Sequence, residues 1–188
     1  MIPTDNLQFT ESTLSRAMTA SANGETVSAI ELFKQAINEQ PASSAAHFLL
    51  GSEYAASGDI SSAEQHISMA LLLNPQWDVA RYQLGLLQFS DARVAAALLT
   101  WQPLTQHADG SAIAHWIQGF TALAQDDFVQ ARTYFEAGLT LNVEHPAMSQ
   151  DIQRVLQKMA AQFSPEVSKD ESAAHVLLAN YEQSGRTH

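Results

Sequence analysis

The sequence contains no cysteine. Disulfides, thiolate nucleophiles and cysteine-ligated zinc are therefore excluded at once. Basic residues are also scarce: nine Lys and Arg stand against twenty Asp and Glu, a formal net charge of -11. A surface this acidic repels phosphate backbones and anionic lipid, so nucleic acid and membranes rank low as partners, while basic segments are attracted. Long apolar runs are missing too. The run Met69 to Leu73 is far short of the roughly 20 residues that cross a bilayer as a helix. The amino-terminal stretch MIPTDNLQFT has neither a basic nor an apolar signal region, which makes the cytoplasm the expected compartment. The eight glycines are scattered and form no phosphate-binding loop, and neither GxSxG nor HExxH occurs.

What is present is a helical, core-forming composition with a period. Hydrophobic residues make up 46% and charged residues 15% of the 188, enough apolar side chain for a continuous core. Ala29, Ala63, Ala97 and Ala131 recur every 34 residues. Ala17, Gly51, Gly85 and Gly119 keep the same spacing, as do Phe33, Ile67, Trp101 and Phe135. Pro41 and Pro75 are also 34 apart. Interlocked series with one period mark a repeat protein. Each unit reads as two amphipathic helices and a short turn. A glycine inside a helix costs about 1 kcal/mol relative to alanine, so Gly51, Gly85 and Gly119 imply close helix–helix approach. Gly24 and Gly58 suit left-handed helix ends. Pro41 and Pro75 terminate second helices, and Pro103 is expected to kink or shorten the second helix of the third unit.

These residues resemble the tetratricopeptide repeat, whose period is 34. The second unit carries the pattern best, with residues 45 to 54 (AAHFLLGSEY), then Gly58, Ala63, Ile67, Ala70 and Pro75. The third has Tyr82-Gln83-Leu84-Gly85 and the fourth Trp116-Ile117-Gln118-Gly119. The first departs, with Arg16 where the family expects leucine and Ala20 where it expects an aromatic. The resemblance implies an all-α, right-handed solenoid of about four helix pairs. The expected organisation is an extension at 1–9, units at about 10–43, 44–77, 78–111 and 112–145, and carboxy-terminal capping helices with a tail over 146–188. One helix is expected near 147–162 and a last one near 170–183 with Ala173, Val176, Leu177 and Tyr181 on one face, after a break at Ser164-Pro165.

The family resemblance further implies that the first helix of each pair lines a concave, segment-binding face. Leu14, Phe48, Tyr82 and Trp116 are 34 apart. Met18, Ser52, Leu86 and Phe120 follow four residues on, and Ser21, Ala55, Phe89 and Leu123 three further. Spacings of four and seven keep these on one helix face. The expected groove residues are Phe48, Tyr82, Leu86, Phe89, Trp116 and Phe120, with Trp77 at the edge. Lysine, asparagine and arginine, which clamp acidic chaperone tails in some relatives, are missing here. The expected partner is an apolar or amphipathic, basic-flanked protein segment.

Other readings stay open. The aromatic stripe can be packed core, covered by the carboxy-terminal helices, or buried in a homodimer of a structural protein. A secretion-type chaperone for hydrophobic export substrates is a sharper form of the first reading. The histidines at 47, 66, 107, 115, 145, 175 and 188 include no pair at the i, i+4 spacing of a helical metal site. No metal, cofactor or enzymatic activity is expected, and Asp126-Asp127 reads as a solvated turn.

Overall fold

A computed structural model of the chain describes residues 12–107, 111–142 and 146–162. The extension at 1–9, His145, the expected Ser164-Pro165 break and the segment 170–183 lie outside the described residues. Those described form helices and turns, with no strand among them. The helices are α1 (Thr13–Ala22), α2 (Thr26–Glu39), α3 (Ser44–Ala56), α4 (Ile60–Leu73), α5 (Asp78–Ser90), α6 (Val94–His107), α7 (Ala112–Ala124), α8 (Phe128–Leu141) and α9 (Pro146–Gln162).

The 34-residue period of the sequence is also the period of the helix boundaries. First helices begin at Ser44, Asp78 and Ala112, and second helices at Thr26, Ile60, Val94 and Phe128. Helix α9 begins at Pro146, on the register of the first helices.

Local chemistry sets these boundaries. Ser12, Ser43 and Ser111 cap α1, α3 and α7, each accepting from the backbone N–H three residues on. Asp59 and Asp127 do the same for α4 and α8. Such caps satisfy an N–H group that has no partner within the helix. The turn inside each pair holds one left-handed residue, at Gly24 (φ 76°), Gly58 (φ 84°), Ala92 (φ 58°) and Asp126 (φ 58°). The next residue in each case donates its N–H five residues back, from Glu25 to Ala20, Asp59 to Tyr54, Arg93 to Gln88 and Asp127 to Ala122. These bonds tie off the carbonyls at the end of the first helix.

The chain divides into two compact units, Met1–Pro75 and Gln76–His188. In the first, α1 pairs with α2, α3 with α4, and α2 packs on α3. Its core includes Ala17, Ala20, Ala29, Phe33 and Leu50. In the second, α5 pairs with α6 and α7 with α8, while α6 packs on α7 and α8 on α9. Its core gathers the aromatic residues together with Met148, Ile152, Val155 and Met159 of α9.

The small-residue series explains the pairing. Gly51 faces Ile67, Gly85 faces the Trp101 indole, and Gly119 faces the Phe135 ring, each so closely that a Cβ would overlap it. The large residues at 67, 101 and 135 are thus seated over the small position of their own pair's first helix, and they and Phe33 are buried. Pro103 lies inside α6, yet α6 keeps 14 residues like α2, α4 and α8. The shortening expected of this helix does not occur. The proline's missing N–H costs one bond to Leu99, and burial of Trp101 and Leu104 on the same helix holds the segment helical.

Candidate functional site

The first-helix face differs between the two units. In the second, Tyr82 on α5 and Trp116 on α7 expose no surface, and Leu86, Phe89 and Phe120 are buried beside them. The Tyr82 ring lies 6.1 Å from Trp101 and 6.0 Å from Trp116, centroid to centroid. Phe120 sits 5.1 Å from Phe89, 5.4 Å from Trp101 and 5.0 Å edge-on from Phe135. Offset and edge-on rings at these separations attract one another beyond simple area burial. Five of the six groove residues expected from sequence are therefore brought together, but as one continuous aromatic core inside a single chain.

In the first unit the same helix positions stay accessible. Met18 on α1 is exposed, and Leu14, Ser21, Phe48, Ser52 and Ala55 are half-buried. Helices α1 and α3 are joined at this face by a hydrogen bond from the Ser21 hydroxyl to the Glu53 carboxylate. Ser52 turns its hydroxyl back to the Phe48 carbonyl at 3.0 Å, a bond that leaves no polar atom beside the ring asking for water. Phe48 and Met18 thus present apolar surface on a face rimmed by Glu53. Small or polar residues in this unit leave the face open, where bulky residues at equivalent positions fill it in the other.

Trp77, expected at the groove edge, occupies the N-cap position of α5 without a capping side-chain bond and is half-buried. A second concavity, of about 660 Å³, lies in the second unit between α8 and α9. Phe128, Val129, Leu156 and Met159 give it apolar walls, and Asp126, Asp127 and Glu136 an acidic border. Sequence reading treated Asp126-Asp127 only as a turn and missed this feature, because it depends on where α9 lies against α8.

Among the described residues no three His, Asp or Glu side chains converge as a metal site would require. No described helix is long and apolar enough to cross a membrane. One pair escaped the spacing argument altogether: His47 on α3 and His66 on α4 approach with their Nδ1 atoms 3.1 Å apart. They are 19 residues apart in sequence, a separation that signals contact only once the two helices are known to pair.

Comparison with known proteins agrees with this architecture. Residues 20–88 match a family model described as tetratricopeptide repeat. The fold resembles a solved structure, the MamA RS-1 ArsTM double mutant, with a TM-score of 0.60 at 15% identity, over 93% of this chain and 94% of that one. No curated protein matches the sequence. The family match identifies tetratricopeptide repeats over residues 20–88, and the 34-residue helix register continues beyond them in an all-α helical-repeat fold.

Proposed function

We propose that this protein is an interaction module that binds a segment of another protein along the α1–α3 face of its first unit. The observation that carries this reading is the contrast in burial. Met18 and Phe48 retain accessible apolar surface, whereas Tyr82, Leu86, Phe89, Trp116 and Phe120 are packed. The occupant is an amphipathic segment with a basic flank. Apolar anchors would fill the Phe48 and Met18 surface, and a net charge of -11 together with Glu53 favours a cationic edge. The five aromatic and aliphatic residues of the second unit are the packed core of that unit. A ligand reaching Trp116 or Tyr82 would first have to displace their packing. Burial of the stripe within one chain also means that it needs no second copy to cover it.

The test is binding of amphipathic helical peptides, with and without a lysine-rich flank, measured by fluorescence anisotropy. Wild type is compared with the pair Met18→Glu and Phe48→Glu, checked for unchanged helicity. An anchor of this kind is worth about 2 kcal/mol, or roughly thirtyfold in affinity. A loss of that size, with tighter binding of the basic-flanked peptide than of the plain one to wild type, supports the reading. Equal binding by wild type and variant moves the site away from α1 and α3.

A further inference from the structure

The first unit holds a second arrangement, formed by α2, α3 and α4. The His47 ring on α3 and the His66 ring on α4 lie with centroids 5.3 Å apart and planes inclined by 29°. Their Nδ1 atoms are 3.1 Å apart. The Tyr54 ring, also on α3, lies stacked 5.7 Å from His66. The Lys34 ammonium of α2 sits over the Tyr54 ring, 5.6 Å from its centre. His47 is buried and His66 half-buried.

Two imidazole nitrogens at this distance can share one proton. One Nδ1 carries the hydrogen, and the other offers its lone pair. Among the described residues no third His, Asp or Glu joins the pair as a metal site would require, so the pair is read as sharing a proton. If both rings are protonated, both Nδ1 atoms become donors and the bond turns into a repulsion between two cations. The Lys34 cation adds to that repulsion at His66. From α2 the group that faces the pair is the Lys34 cation. From α3 it is Tyr54, while the Glu53 carboxylate next to it is bonded to Ser21. On α4, Asp59 is bonded to Ser62 at the helix start, and Glu64 stands two residues before His66, about 200° around the helix.

We propose that the His47–His66 contact is a proton-operated clasp between α3 and α4, closed while no more than one ring is charged and released when both are. The linkage follows from the folded environment. Burial, then His47, then Lys34 hold His66 below the ordinary histidine value. The unfolded chain therefore takes up this proton first. The clasp's contribution to stability is complete above the ordinary histidine value of about 6.5, and is lost as pH falls from there to the depressed folded value. The clasp operates whatever the first-helix faces bind.

The experiment is an NMR titration of the histidine ring nitrogens in the full chain from about pH 8 to about pH 5. Thermal unfolding of wild type, His47→Gln and His66→Gln is followed over the same range. The expected result has two parts. The His66 ring titrates below the ordinary value, and nearer to it in His47→Gln. The folding constant of wild type falls by up to about tenfold per pH unit inside that window, and His66→Gln flattens the fall. Titration of His66 at the ordinary value, unchanged in His47→Gln, would overturn the clasp. So would the same pH dependence in wild type and both variants. If the glutamine variants do not fold, the ring titration of wild type decides alone.

Discussion

The indole N–H of Trp101 donates to the backbone carbonyl of Tyr82 at 2.9 Å, across the α5–α6 pair and wholly inside the core. Trp116, which belongs to the same aromatic cluster, has no such bond: among the described residues its buried Nε1 finds no partner, and it lies against Gly138 of α8. Two tryptophans of equal burial therefore sit in different energetic situations.

That difference gives an ordered expectation for phenylalanine substitutions. Trp101→Phe removes volume and also the indole bond to the Tyr82 carbonyl, with a cost of about 0.5–1.5 kcal/mol for the lost bond on top of the cavity. Trp116→Phe removes volume but relieves an unsatisfied N–H, so its cost is smaller. Urea unfolding of both variants checks this. Equal losses would mean that the Trp101 bond contributes no net stability.

Gly85 lets that bond form. A Cβ at Gly85 would overlap the Trp101 indole, whose place is fixed by the hydrogen bond. Gly85→Ala gains about 1 kcal/mol of helix propensity and loses about 1–3 kcal/mol or more to overpacking, so net destabilisation is expected. Thermal unfolding measures the sign, and a stabilised Gly85→Ala would mean that the indole can move aside freely.

The left-handed turn positions predict stabilising changes. Ala92 and Asp126 hold φ of 58° where the other two pairs have glycine. Residues with a Cβ cost roughly 1 kcal/mol there, offset in part by the greater freedom that glycine adds to the unfolded chain. Ala92→Gly is expected to raise stability by up to about 1 kcal/mol. Gly58→Ala, with nothing within 4 Å of an added Cβ, is expected to lose a similar amount purely through the backbone. The denaturant midpoints of the two variants should move in opposite directions.

Much of the fold was legible because a repeat writes its geometry into the sequence several times over. The series through Ala29, Gly51 and Phe33 located the close approaches and the knobs that fill them. Gly24 and Gly58 marked two left-handed turns. The equivalents at Ala92 and Asp126 were hidden, since their residue types do not require positive φ and only the turn hydrogen bonds reveal it. Pro103 misled in part: its local cost is real, but the buried Trp101 and Leu104 outweigh it.

The sequence by itself determined the helix pairs, their 34-residue register and the equivalent first-helix positions of Phe48, Tyr82 and Trp116, because period and residue size act through neighbours in the chain. Tertiary structure decided which of those positions are accessible. Phe48 keeps open surface and Tyr82 does not, because exposure depends on what packs across from a helix. The same holds for His47 and His66, ordinary in sequence and paired only when α3 lies against α4. Periodicity fixes a direction for each side chain, and only the packed neighbours determine what it meets there.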